Sequence, residues 1–231
     1  MQILKVEKYY YDYSVFKTHL LSSLSSVFKE GESFFMKSLT IYLKDFPEYR
    51  ERIIDFCKEE RMHTEWHTTM NKLLDEEHGN TAIQDLEKRT GQILSLINFL
   101  PKQYKLLITE CLEHITYCLC KTALEKNTFS TLKGDSKQVF IQHCIEEIGL
   151  SHSTIAGDIN RRLGNQNKYI RKIVMYTVFS VLCLIMANYI NYLYTINNDF
   201  CSGDFITSIH HLTDESSWLK IAIKDVFQTW K

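Results

Sequence analysis

Glu60, His63 and His67 are spaced three and four residues apart in FCKEERMHTEWHTTMN, residues 56–71. On a helix that spacing puts all three side chains on one face. A carboxylate converging with two imidazoles is half of a metal site, so the rest of the chain must supply the other half. Glu113 lies in LLITECLEHI, residues 106–115, a run that is otherwise largely apolar. An ionised carboxylate buried there is costly without a cation or strong donors. Glu30 and Glu32 stand beside Phe34 and Phe35, and residues 143–158 bring His143, Glu146, Glu147, His152 and Asp158.

Four helical segments carrying acids and imidazoles in this order match a carboxylate-bridged dimetal bundle. Such a bundle takes one Glu from each of two helices and a Glu-x-x-His pair from each of the other two. Carboxylates neutralise and bridge the cations, imidazoles fill terminal positions, and open positions remain for water, oxygen or substrate. A donor set of oxygen and nitrogen without thiolate suits iron or manganese better than structural zinc. The expected cofactor is two divalent ions, iron first, with manganese or zinc as alternatives.

The runs Glu30-Gly31-Glu32-Ser33-Phe34-Phe35, 56–71, Leu112-Glu113-His114-Ile115-Thr116 and 143–158 also resemble successive motifs of the bacterial family of predicted metal-dependent hydrolases. The similarity covers roughly residues 28–160. It implies a ferritin-like helical fold, with Glu32, Glu60, His63, Glu113 and Glu147 as metal ligands and His67 beside them. Catalytic roles are expected for Glu147 and His67. The chain departs from the family pattern on the fourth helix: Leu150 occupies the position three after Glu147, and the next histidine is His152. Five helical steps place His152 about 140° from Glu147 on an ideal helix. A π-bulge near Gly149 would restore the register, and on that basis His152 is expected to complete the ligand set.

The elements needed to hold such a site are legible in the composition. Only 8 Gly and 2 Pro among 231 residues, with 45% hydrophobic residues, favour long helices over strands and hairpins. Apolar periodicity predicts helices over about 12–29, 32–44, 47–74, 81–99, 101–126, 135–162, 168–197 and 216–230. Gly31 marks a break between the first two, Gly79 a terminator, and Pro47 and Pro101 starts. The expected fold is an all-α, ferritin-like helical bundle with additional C-terminal helices. It forms one domain over 1–231, with a metal-site core at 12–163, an apolar helix at 168–197 and a tail at 200–231.

Lys and Arg total 27 against 28 Asp and Glu, so no basic field draws nucleic acid. The seven cysteines, odd in number and set in apolar helical surroundings, read as reduced core thiols. The first residues lack an apolar run of signal-peptide length, and a cytoplasmic protein is expected. Residues 173–198 contain no charge and are long enough to span a bilayer. Interspersed Asn and Tyr favour a buried central helix instead, with peripheral membrane contact and a homo-oligomer left open. His78, His210 and His211 read as surface or loop residues.

The first functional reading is an oxygen-activating di-iron oxidoreductase. Its substrate is small and apolar, because Phe34, Phe35, Trp66, Tyr104 and Tyr117 lie near the motifs. The alternatives are a metal-dependent hydrolase using a metal-activated water, and a non-catalytic helical metal-binding or interaction protein.

Overall fold

The computed structural model describes residues 3, 5–149, 152–164, 167–199 and 217–230, with backbone alone at 152 and 153. Eight α-helices are found among these residues: α1 (Val15–Thr40), α2 (Arg50–His78), α3 (Ala82–Ile97), α4 (Lys102–Glu125), α5 (Ser136–Glu147), α6 (His152–Arg162), α7 (Lys168–Asn197) and α8 (Trp218–Thr229). No strand occurs among them, and the chain is all-α.

Helix ends follow local chemistry. Ser14 Oγ accepts from Lys17 N at 3.3 Å to start α1. Gly79 closes α2 in the left-handed conformation, at φ +70°, with its N–H on the carbonyls of Asp75 and Glu76. Asp75, in the last turn of α2, then opens α3 by accepting from Ile83 N at 2.8 Å and Gln84 N at 3.0 Å. Asn167 Oδ1 accepts from Tyr169 N and Ile170 N to start α7.

Two boundaries differ from those expected. α1 runs unbroken through Gly31, because both halves of the helix are clamped by packing against α2 and α3. The segment expected as one helix over 135–162 is two, α5 and α6. Ile148 and Gly149 close α5 with N–H groups on Cys144 O and Glu146 O, at 3.2 and 2.9 Å. The chain turns there, so no π-bulge carries a single helix through Gly149.

α1 packs against α2, α3, α4 and α7, while α4 packs against α5, α6, α7 and α8. The space enclosed by α1, α2, α4 and α5 holds the polar residues singled out above. Arg171 of α7 donates to both oxygens of Glu110 of α4, at 2.9 and 2.6 Å, and Asn160 of α6 donates to the same carboxylate at 2.7 Å. One buried carboxylate thus pins three helices together.

α7 is not the buried helix expected. Its inward contacts are Arg171, Met175, Tyr189, Ile190, Leu193 and Tyr194, whereas Ile173 and Leu184 are 65% and 71% exposed. It is the one described helix long and apolar enough to cross a membrane.

His19, on α1, has no acidic residue at helical spacing and finds one far along the chain. It is buried, with Nε2 at 2.8 Å from Asp199 Oδ2, and Tyr9 donates to the other oxygen of that carboxylate at 2.6 Å. His78 lies half-buried beside it, at 6.1 Å between ring centroids. Burial, aided by His19 and Lys8, pushes the His78 pKa down to about 4, and burial outweighs Asp199 in lowering that of His19. The unfolded imidazoles titrate near ~6.5, so between that value and about 4 the unfolded chain binds more protons than the folded one. Stability contributed by these neutral imidazoles is therefore present above pH ~6.5 and lost as the pH falls toward 4. Urea midpoints measured at pH 7 and pH 5 should fall accordingly, and His78→Gln should reduce the drop.

Candidate metal centre

The helical spacing read in the sequence converges in space. α2 directs Glu60, His63 and His67 inward from one face, α1 supplies Glu32, α4 supplies Glu113, and α5 supplies His143 and Glu147 four residues apart. Each of these seven residues is at most 3% exposed. Glu32, His63 and His143 present donor atoms within 4.8 Å of one another, and so do Glu60, His63 and Glu147. His63 belongs to both groups.

Without a cation, ionised carboxylates are disfavoured in this cluster. Burial raises the Glu113 pKa well above the ordinary carboxylate value, and the negative charges of Glu147, Glu60 and Glu32 raise it further. Glu32 is raised by burial and by Glu60, against a hydrogen bond from Thr64 Oγ1 at 2.6 Å. Both carboxylate oxygens of Glu113 are buried with no hydrogen-bond partner among the described residues. Native interiors seldom leave a carboxylate in that condition, and a divalent ion is the group that would satisfy it. The residues therefore fit a metal.

The donor chemistry narrows which kind. Oxygen and imidazole nitrogen suit magnesium, manganese, iron or zinc. Cys120, close to the cluster, has its thiol pushed far up by burial and then by Cys144, Glu147 and Glu113, and it belongs to neither group of converging donor atoms. The six described cysteines are unbridged, with Cys183 exposed, Cys57 half-buried and the other four buried; Cys201 lies outside the described residues.

Hydrogen bonds around the cluster set the imidazole orientations. His63 Nε2 lies 2.7 Å from Glu146 Oε2, which leaves Nδ1 toward the centre, 3.7 Å from Glu147 Oε1. Glu146 is itself held by Gln142 Nε2 at 2.6 Å. A carboxylate behind a ligating histidine fixes its tautomer and raises its basicity.

His67 sits in a longer relay whose polarity can be worked out from its far end. Lys29 Nζ pairs with Glu87 Oε2 at 3.1 Å, and Asn71 Nδ2 donates to Glu87 Oε1 at 2.9 Å, which orients the Asn71 amide. Ser25 Oγ donates its single proton to Asn71 Oδ1 at 2.6 Å, so it must accept from His67 Nδ1 at 2.8 Å. Burial, with His143 and His63 alongside, holds the His67 pKa well below normal, so the ring is neutral and its Nε2 accepts from His143 Nδ1 at 3.0 Å. With Nδ1 donating, the neutral form of the His143 ring carries its lone pair at Nε2. That atom has no hydrogen bond and lies 3.4 Å from Glu147 Oε1. Both His67 nitrogens are engaged by this relay, so it orients His143 and has no lone pair for an ion.

The residues expected from sequence are thus distributed as follows. Glu32, Glu60, His63, Glu113 and Glu147 are brought together. His67 stands one shell behind. The side chain of His152 lies outside the described residues, and the chain turn before α6 breaks the helical register that linked it to Glu147. His143 provides the imidazole on α5; its signal was an i, i+4 relation to Glu147, read backward along the helix rather than forward. His114 faces away, with Nε2 3.1 Å from the Val226 carbonyl, and Asp158 pairs with Arg52 at 2.7 Å. His210 and His211 lie outside the described residues.

No curated protein and no solved structure matches the chain. The model of one protein family, described as predicted metal-dependent hydrolase, matches residues 1–230. With a match of that extent and buried His/Glu clusters suited to a metal, the chain belongs to the predicted metal-dependent hydrolase family.

Proposed function

We propose that this protein is a metal-dependent hydrolase, in a bundle of ferritin-like character. Its metal would be held by Glu32, Glu60, His63, Glu113, His143 and Glu147. The observation that carries the reading is Glu113, a carboxylate buried among three others with neither oxygen hydrogen-bonded. A divalent ion held there supplies Lewis acidity and lowers the pKa of water. Glu146 and His67 keep the two imidazoles aimed, and Glu147 Oε1, within 3.7 Å of His63 Nδ1 and 3.4 Å of His143 Nε2, is the atom placed to hold a transferred proton. Family membership and these clusters favour hydrolysis over the oxygen-activating di-iron chemistry suggested by ligand type alone.

The test is metal analysis of the purified protein followed by ester and amide hydrolysis assays with zinc, magnesium or manganese, with and without oxygen. Turnover with a redox-inert ion and no dependence on oxygen is expected. A strict oxygen requirement, or failure to bind any divalent ion, would overturn the reading.

The relay gives a separate prediction. Loss of a partner behind a ligating histidine typically weakens metal binding about 10–100-fold. His67→Leu should show that loss in a chelator competition titration with little change in helix content, whereas His67→Gln, which keeps a hydrogen-bonding group, should recover part of it.

A further inference from the structure

A cavity of about 250 Å³ adjoins the candidate centre, lined mainly by α1, α3, α4 and α7, with Phe140, His143 and Cys144 of α5 on the side of the centre. Its walls are aliphatic and aromatic side chains such as Leu24, Leu94, Ile108, Leu112, Val178 and Leu182. Glu32 and His143, both of the metal-site cluster, are its only acid and imidazole among the described residues. The Thr90 hydroxyl donates to Leu86 O at 3.0 Å and that of Thr116 to Leu112 O at 3.1 Å, so these two wall residues turn their protons into their own helices. Phe28 lines the cavity and also packs at a tilt against the His67 and His143 rings, with centroids at 4.6 and 4.5 Å. A ligand with polar groups away from Glu32 and His143 would find few partners among the described walls, chiefly the Thr177 hydroxyl, which disfavours it.

Gly31 gives this space an independent signature. It lies in the middle of α1, where glycine costs about 1 kcal/mol relative to alanine. A Cβ built on Gly31 would meet no atom within 4 Å, so no close packing or turn demands glycine there. What Gly31 does is line the cavity, immediately before Glu32. A side chain at that position would take up the space beside the metal site.

We propose that the substrate carries a single long alkyl chain, which occupies this cavity and presents its hydrolysable group to Glu32 and His143. For the chemistry at the head group the proposal rests on the hydrolase reading. With an acyl ester or amide, one water is consumed: its oxygen bonds to the acyl carbon, the bond to the leaving oxygen or nitrogen breaks, and one water proton ends on the leaving alcohol or amine.

Binding of 1-decanol and 1-hexanol, which are uncharged and cannot be hydrolysed, tests the cavity apart from catalysis. Titration calorimetry on the metal-free and metal-loaded full chain should show one site, with affinity rising about fourfold for each added methylene. Gly31→Ala should weaken 1-decanol several-fold and Gly31→Leu at least tenfold, while both thermal midpoints hold or rise because glycine leaves a helix interior. If 1-decanol does not bind, or binds the wild type and a folded Gly31→Leu equally, the proposal is overturned. Should Gly31→Leu fail to fold, Gly31→Ala alone decides by the same comparison. Saturable 1-decanol binding without any hydrolytic activity would refute the hydrolase reading and leave the alkyl-chain site standing, whereas hydrolysis of short-chain substrates only, without 1-decanol binding, would do the reverse.

Discussion

Glu113→Met is expected to stabilise the metal-free protein and at the same time to strip it of its metal. Glu113 is buried among Glu32, Glu60 and Glu147, and its carboxyl is held well above its ordinary pKa. A carboxyl whose folded pKa is raised contributes no penalty below its unfolded value of ~4.3 and an increasing one as the pH rises above it. At neutral pH the metal-free chain therefore carries the cost of keeping that group protonated or of burying its charge. Methionine fills a similar volume without either cost, and replacing poorly compensated buried charge by a well-packed apolar group is worth about 1–4 kcal/mol. In a chain of this size that corresponds to about 2–4 °C per kcal/mol. Melting curves in chelator should show the variant above the wild type, with a flatter dependence on pH above ~4.5. Addition of a divalent ion at one hundred times its dissociation constant should raise the wild type by about 2.7 kcal/mol and leave the variant unmoved. A variant that melts lower in chelator and still binds metal would show that Glu113 is an ordinary structural carboxylate.

Arg171→Met should have the opposite character, a large loss of stability. Glu110 and Arg171 are each 9% exposed at the side chain and meet in a two-point contact, with Asn160 on the same carboxylate and the Trp230 ring 4.7 Å from the guanidinium. Removing one partner of a buried pair leaves an uncompensated charge and typically costs about 3–5 kcal/mol. Four helices, α4, α6, α7 and the end of α8, converge on this point, so the loss should spread beyond one contact. The double variant Glu110→Leu/Arg171→Met removes both charges and should recover most of the stability, as apolar replacements of complete buried pairs commonly do. Urea denaturation of the two singles and the double closes the cycle. A double variant as unstable as Arg171→Met alone would mean that packing of the Arg171 stem, rather than its charge, holds α7 in place.

Much of this architecture was written in local pattern. The period of apolar residues located the helices, Gly79 and Pro101 marked ends, and 168–197 was read with both boundaries as observed. Glu60 and His63 were legible because both are set by one helix, and Glu113 because an acid in an apolar run needs a reason. What failed were relations that no single helix contains. The break after Glu147 depends on how Ile148 and Gly149 fold back on α5, and the expected link from Glu147 to His152 crosses that break. The contact of His19 with Asp199 spans 180 residues and has no helical spacing to betray it. Gly31 looked like a break because glycine usually weakens a helix, but the helix is held by its neighbours and the missing side chain leaves a void. The apolar composition of α7 predicted burial, yet hydropathy states only that a surface avoids water, and here much of that surface faces outward.

The relay from Lys29 to His143 has a direction. Reversing it would require protons to move at His67 and Ser25 in concert and the Asn71 amide to rotate against Glu87. The metal-free protein consequently already displays the His143 nitrogen lone pair that an ion would need, and capture of the ion consumes little of its binding energy in rearranging that ligand. A half-exposed lysine at the far end is what anchors this polarity, so the readiness of a water-excluded centre is established from the rim of the bundle.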